Sequence, residues 1–292
     1  MSMRSRALTL LVLFFCAAVA APAKTPAPAQ RIVSLAPNLT ELVFTVGAGE
    51  RLVGADVFSN YPPQARAIAR VGDAFQVDYE RVLALDPDLV LVWDTGTPEP
   101  VIEKLTHLGL AVERISTTHL DDVPRALRRL GELTGTRATA ELAAQAYTQS
   151  LNALRRAHTD DARIEVFYQI SSTPLYTISS EHLISEIITL CGGHNIFADL
   201  EQLAPPVSRE AVLERNPEVI LAGDDVADDP FGGWRQWQRL RAVELDNLYV
   251  LHVDRIARAT TRTVDGAREV CSVLDQARTR RAGARTKAAG SA

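Results

Sequence analysis

One stretch of this 292-residue chain is used twice. Residues 80–91 read Glu-Arg-Val-Leu-Ala-Leu-Asp-Pro-Asp-Leu-Val-Leu, and residues 210–221 read Glu-Ala-Val-Leu-Glu-Arg-Asn-Pro-Glu-Val-Ile-Leu, an offset of 130. Each copy opens on an acid, runs as one short helix, and stops at Pro87 or Pro217. Proline cannot continue a helix, and it drives the residue before it out of the right-handed helical region. The Val/Ile/Leu run that follows suits a strand buried on both faces, as in a parallel sheet. A weaker echo pairs residues 41–47 with 186–192, at an offset of 145. The expectation is an α/β chain of two similar lobes with parallel-type sheets and a cleft between them.

The N-terminus reads as an export signal. Arg4 and Arg6 precede an apolar run from Ala7 to Val19, and Ala18-Val19-Ala20 is a small-x-small site, so residues 1–20 are expected to be cleaved near Ala20. The apolar run is too short to span a bilayer comfortably. Residues 21–30 are a Pro/Ala linker. Export makes the compartment oxidising, and Cys16 leaves with the signal, so Cys191 and Cys271 are expected to form a disulfide. Loss of Arg4 and Arg6 takes the formal charge from −5 to −7. Setting aside the five basic residues after position 277 takes it to −12. Such a body does not suit nucleic acid, which needs a basic footprint. The basic, Ala/Gly-rich stretch 278–292 reads as a disordered tail.

Strands are expected at 31–35, 52–55, 88–93 and 110–115, with helices between them, making an N-terminal lobe over 31–135. Residues 136–158 carry one long Ala/Leu/Gln-rich helix between the two copies, read as a bridge between lobes. A second lobe follows over 159–277. It has strands at 164–168, 174–178, 219–223 and 248–251, a helix at 181–191, Trp234 and Trp237 on a helix, and a last helix at 263–277 that carries Cys271.

No Gly-x-Ser-x-Gly elbow, phosphate loop or dinucleotide fingerprint is present. The six histidines are scattered and none pairs at metal-ligand spacing; His182, at a predicted helix start, is the one best placed. No cofactor, metal or catalytic group is therefore expected. Aromatic residues do recur where strands stop: Tyr61, Phe75, Trp93 and Tyr176. Ligands of open α/β sheets bind beyond the carboxyl ends of the strands, and aromatics there can wall a pocket for a large flat molecule. Arg255, Arg258 and Arg262 follow the late strand and could bind carboxylate, amide or phosphate groups.

Taken in order, several segments carry a family resemblance. They are Arg31-Ile-Val-Ser-Leu-Ala-Pro with Thr40-Glu41-Leu42, Asn60-Tyr-Pro-Pro-Gln64, the module from Glu80 to Val90, Cys191-Gly-Gly-x-Asn-Ile-Phe197, and Val207-Ser-Arg-Glu210. Over about residues 31–277 the chain resembles the periplasmic substrate-binding proteins of ABC importers that take up cobalamin. The resemblance implies two α/β lobes joined by one long helix, with a small closure on binding. It implies that Tyr61 and the segment Asp254, Arg255, Ile256, Ala257 and Arg258 contact a corrinoid. It also implies that Glu80 and Glu210, one per lobe, dock onto arginines of the permease in the permease–ATPase complex. Two equivalent acids suit a two-fold symmetric partner. The chain departs from the family pattern in the cleft. Phe75 stands where the family has a tryptophan, no aromatic lies near Ala204-Pro205-Pro206, and Ile256 and Ala257 replace an aromatic and an acid. The cargo is accordingly cobalamin or a related corrinoid, with haem or a ferric siderophore as the alternative on this fold and an exported α/β enzyme as the other class.

Overall fold

The computed structural model describes residues 27–290, the side chains of 288–290 excepted. The expected export signal, its cleavage site and most of the linker lie outside that range. Two parallel sheets organise the rest. In chain order the first half holds β1 (Ile32–Ser34), α1 (Pro37–Thr45), β2 (Leu52–Ala55), β3 (Ala69–Arg70), α2 (Tyr79–Ala84), β4 (Leu89–Trp93), α3 (Glu99–His107), β5 (Val112–Ile115) and α4 (Val123–Thr134). Helix α5 (Arg137–Ala157) leads on to β6 (Ile164–Gln169), β7 (Ser171–Ser172), β8 (Leu175–Tyr176), α6 (Leu183–Leu190), β9 (Gly193–Asn195) and α7 (Arg209–Arg215). The chain ends with β10 (Val219–Gly223), α8 (Arg241–Glu244), β11 (Leu248–Leu251), α9 (Val253–Ile256) and α10 (Thr263–Gly290).

The first sheet runs β3-β2-β1-β4-β5 and the second β11-β10-β6-β9, every pair parallel. Read from the other edge, β9-β6-β10-β11 repeats the order β2-β1-β4-β5, so the repeated stretch is one unit of two like lobes. The likeness reaches single residues. Asp78 caps α2 by accepting from Arg81 N at 3.0 Å, and Ser208 caps α7 by accepting from Ala211 N at 3.1 Å. Asp86 and Asn216, which precede the two prolines, both sit in the left-handed region at φ 45°. Strands β4 and β10 then start two residues past their prolines. The weaker echo is real in the same sense: Gly47 and Gly192 end α1 and α6 at φ 80° and 69°, which residues with a Cβ rarely adopt.

The strands are apolar throughout because each face packs on a different layer. Leu89 and Leu91 of β4 join Ile32 in the central cluster, while Val90 and Val92 join Val33 in an outer one. Strand β10 splits the same way, Val219 and Leu221 inward, Ile220 and Ala222 outward onto Phe167, Phe197 and Trp234. Each fully buried side chain of this size contributes roughly 1.5–3 kcal/mol. The central cluster is continuous between the sheets, running through Leu127 and Leu130 of α4, Ala140, Ala144, Tyr147 and Leu151 of α5, and α6 and α10. Cys191 at the end of α6 is bonded to Cys271 on α10.

Two expectations are corrected. The basic stretch after position 277, expected as a disordered tail, is helical over its described residues 278–290. It continues α10 to Gly290, because Ala and Arg are good helix formers and the arginines find partners. Arg278 donates to the carbonyls of Ala162 (2.9 Å) and Cys191 (2.6 Å), and Arg281 donates to the Arg163 carbonyl (2.8 Å) and pairs with Glu218 at 3.0 Å. Trp234 and Trp237 are not on a helix but in a chain of turns, since Pro230, Gly232 and Gly233 interrupt any helical run. Trp234 is buried there, with Nε1 donating to Gln169 Oε1 at 2.7 Å.

Candidate functional site

At the carboxyl ends of the first sheet the chain opens a cavity of about 500 Å³. Its walls come from the residues just past four strands: Leu35–Pro37 after β1, Asp56 and Phe58 after β2, Asp73–Phe75 after β3, and Trp93 with Thr95–Pro98 at the end of β4. The strand order reverses about β1 here, which is where crossovers leave in opposite directions and a crevice forms. Phe58 and Phe75 are 61% and 74% exposed, an unusual state for phenylalanine unless a partner covers it. Trp93 lies flat on the turn behind it. A Cβ at Gly96 would stand 2.0 Å from Trp93 Cε3, so glycine is required for the ring to take that place. The Trp93 indole Nε1 is buried without a hydrogen-bond partner among the described residues.

Among the described residues Asp56 and Asp73 are the only ionisable side chains lining this cavity. Each uses Oδ1 to fix its own loop: Asp56 accepts from Phe58 N at 2.7 Å, and Asp73 accepts from Phe75 N at 2.8 Å and Gln76 N at 2.7 Å. Burial pushes the Asp56 carboxyl up to about 6, against the lowering effect of its bond from Phe58 N, and the charge of Asp73 adds to the rise.

A second cavity lies on the other lobe, past β10 and β11, lined by Asp224, Asp225, His252, Val253, Asp254, Arg255 and Arg262. Asp224 is anchored by Val253 N at 3.0 Å and by His252 Nδ1 at 3.1 Å. The lobes meet at residues of this second cavity and its flank. Asn60 Nδ2 donates to Asp254 Oδ2 at 3.1 Å, and Arg258 Nη1 donates to Asn60 Oδ1 at 2.7 Å. Glu41 of α1, only 3% exposed, accepts from Arg262 Nε (2.9 Å) and Nη2 (2.6 Å) and from Arg258 Nη1 (3.2 Å). The Arg262 guanidinium also stacks 3.9 Å above the Tyr61 ring.

The structure therefore brings Phe75 and Trp93 into one cavity and Asp254 and Arg255 into the other, with Tyr61 and Arg258 at the junction. Tyr176 lies apart, half-buried in the hairpin after β6, where it bridges to Pro206. Ala257 is exposed beyond α9. Ile256 does not belong with them: it is fully buried in the central cluster, packed where Gly266 makes room for it. Arg258 is bonded to Glu41, Asn60 and Asp254 (2.8 Å) at the junction. Asp56, Phe58 and Asp73 were not singled out from sequence. Asp56 follows an apolar run directly, the same position that picked out the aromatics, and that signal was available. His182 caps α6 by accepting from Ile184 N at 3.1 Å, and burial pushes it down to about 4. His158, Asp161 and Asp275 cluster elsewhere, but Arg278 already pairs with both acids, at 3.1 and 2.6 Å.

Glu80 and Glu210 are exposed at the second position of α2 and of α7, one on each lobe. The helix's own Glu210 N–H and the Ser208 hydroxyl hold the Glu210 carboxyl below its usual range. Among the described residues no helix is long and apolar enough to cross a membrane.

Two like α/β lobes, a long helix between them and an aromatic-walled cavity at the strand ends define a two-lobed binding protein. The periplasmic binding protein family matches residues 32–254, and the chain belongs to that family. It is similar to the vitamin B12-binding protein of Vibrio cholerae, 37% identical over 250 residues that cover 85% of this chain and 90% of that one. The vitamin B12-binding protein of Pectobacterium carotovorum is 36% identical, covering 84% and 88%. The crystal structure of the Vibrio cholerae periplasmic vitamin B12 binding protein BtuF superposes with a TM-score of 0.80 at 36% identity, over 87% of this chain and 99% of that one. A periplasmic haem-binding protein from Roseiflexus shares the fold, with a TM-score of 0.77 at 22% identity over 85% and 98%.

Proposed function

We propose that this protein captures cobalamin or a closely related corrinoid in the periplasm and delivers it to an ABC importer of the inner membrane. The observation that carries the reading is the apolar cavity whose Phe58 and Phe75 stand exposed beside Trp93, a wall suited to a large, flat, weakly charged ring. Relatives that cover most of the chain are named for vitamin B12 binding, which supports the same cargo. The role is capture and release, without catalysis or a resident cofactor. In this reading Phe75, Trp93 and Phe58 form the floor, Tyr61 the rim, and Asp254 and Arg255 the opposite wall. Export by the segment 1–20 brings the chain to the periplasm, and Glu80 and Glu210 dock the loaded protein onto permease arginines through charge-assisted bonds.

Absorption spectra and calorimetry with cyanocobalamin, cobinamide, hemin and a ferric siderophore test the cargo. Corrinoid binding is expected, with Trp93→Ala weakening it by about 1–3 kcal/mol, roughly 5- to 150-fold. Binding of hemin or the siderophore in preference to both corrinoids would reassign the cargo.

A further inference from the structure

The cavity past the first sheet combines an apolar floor with two acids and no base. Among the described residues no lysine, arginine or histidine lines it, so no cation stands in the wall beside Asp56 and Asp73. Asp56 is only 2% exposed. Its Oδ1 is committed to Phe58 N, and no protein hydrogen bond reaches its Oδ2 among the described residues. Arg70, the nearest base on the same wall, spends its guanidinium on the backbone carbonyls of Asp56 (3.0 Å) and Ser59 (2.9 Å). Across the junction, Arg258 and Arg262 are taken by Glu41. Oδ2 is thus left as an open acceptor, and a ligand N–H is a group that would pair with it. A ligand carboxylate brought to the same place would add like charge in a poorly solvated site, with nothing to pair it.

Resting on the corrinoid reading above, we infer that Asp56, with Asp73 beside it, is a specificity filter. It accepts hydrogen bonds from the neutral carboxamides at the edge of the ring and excludes tetrapyrroles whose edge carries carboxylates. The filter has a pH setting. With the Asp56 carboxyl up to about 6, acid conditions protonate it, and the repulsion from this wall then falls to Asp73 alone. Arg70 and Arg258 are the bases whose charge reaches it.

The test compares cyanocobalamin with a cobalamin monocarboxylic acid, in which one edge amide has been hydrolysed, by calorimetry at pH 7.5 and pH 5.5. Hemin and its dimethyl ester are the second pair. Wild type should prefer the amide over the acid by about tenfold or more at pH 7.5, the scale of one like-charge contact in a secluded site. The preference should shrink several-fold at pH 5.5. In Asp56→Asn, which keeps the Oδ1 acceptor for Phe58 N, it should be small and the same at both pH values, which separates the proton on Asp56 from that on the ligand. Asp73→Asn should reduce the preference without abolishing its pH dependence.

Equal binding of amide and acid by wild type, or an Asp56→Asn ratio unchanged from wild type, overturns the filter and leaves the corrinoid reading standing. Tighter binding of hemin than of cyanocobalamin overturns both, as does failure to bind any of the four. Preference for hemin dimethyl ester over hemin, with cyanocobalamin tightest of all, supports both.

Discussion

Asp56 keeps 2% of its surface exposed beside Phe58 and Trp93, and that seclusion sets a stability cost against its use in binding. Its carboxyl sits at about 6 in the folded protein against an ordinary 3.8. Between those values the folded chain holds a proton that the unfolded chain has released. Stability from this group is therefore fully present below 3.8 and is lost as pH rises through about 6. A shift of that size corresponds to about 3 kcal/mol at 1.36 kcal/mol per unit. Asp56→Asn should accordingly be more stable than wild type by about 2–3 kcal/mol at pH 7.5 and nearly equal to it at pH 4. Urea unfolding at the two pH values measures the difference. A variant less stable than wild type at pH 7.5 would mean that the second carboxylate oxygen is satisfied in a way the structure does not contain.

At the scale of elements, the C-terminal half of α10 separates a working strut from an idle tail. Arg278 and Arg281 reach carbonyls at the entrance to β6 and at the end of α6, where the chain has no backbone donor to offer. Charged hydrogen bonds of this kind contribute roughly 1.5–3 kcal/mol each when their partners are secluded. Ending the chain after Ala277 removes both arginines and leaves Glu218 without its 3.0 Å partner. Thermal unfolding of the shortened protein should show a loss of about 3–5 kcal/mol, with cobalamin affinity unchanged because no described residue past 277 lines either cavity. An unaltered midpoint would return the segment to the disordered state that its composition suggests. The Cys191–Cys271 bond pins the first half of the same helix, and it closes a span of 80 residues. Its reduction should cost roughly 4 kcal/mol in the chain-entropy account. Alkylation with and without reductant, followed by unfolding, checks both the bond and its weight.

On the scale of the whole molecule, the repeat produces two inter-lobe clasps at related positions. Glu41 on α1 reaches Arg258 and Arg262 of the second lobe. Glu186, its counterpart at offset 145, lies on α6 and accepts from Leu120 N of the first lobe at 3.0 Å, with Arg155 at 3.9 Å. The two are unequal in seclusion, so they should be unequal in energy. Glu41→Gln strips a buried acceptor from two arginines and should destabilise by about 3–5 kcal/mol, whereas Glu186→Gln should cost under about 1 kcal/mol. Denaturant unfolding of the two single variants decides it, and equal costs would show that the Glu41 cluster is fully hydrated. The outward acids divide the labour differently. Glu80→Ala and Glu210→Ala, alone and together, should leave ligand affinity intact and impair uptake by a reconstituted transporter. The effects should be nearly additive because the sites are on separate lobes. Normal uptake by the double variant would reduce both acids to residues that suit helix N-termini.

The amino-acid sequence by itself determined what local chemistry controls. The stop at Pro87 and Pro217, the caps at Asp78 and Ser208, and the apolar strands after them are set by neighbours a few residues away. The offset of 130 was therefore enough to announce two like lobes. The span of α5 followed in the same way from an Ala/Leu/Gln-rich run with no glycine or proline, and the cysteine pair followed from export. Tertiary structure alone decided the rest. The bond of Arg258 to Glu41, 217 residues earlier, was not legible in the sequence, because no local pattern encodes a charge partner at that distance. Ile256 shares a short segment with Asp254 and Arg255 but turns into the core, because a helical turn points successive side chains in different directions. The arginines after position 277 read as a solvated tail by composition, and only the position of two β6-end carbonyls and Glu218 turned them into a strut. Asp56 is simply a polar residue after a strand in the sequence. It became a secluded acid with a free oxygen only when the packing of four strand ends closed an apolar cavity around it.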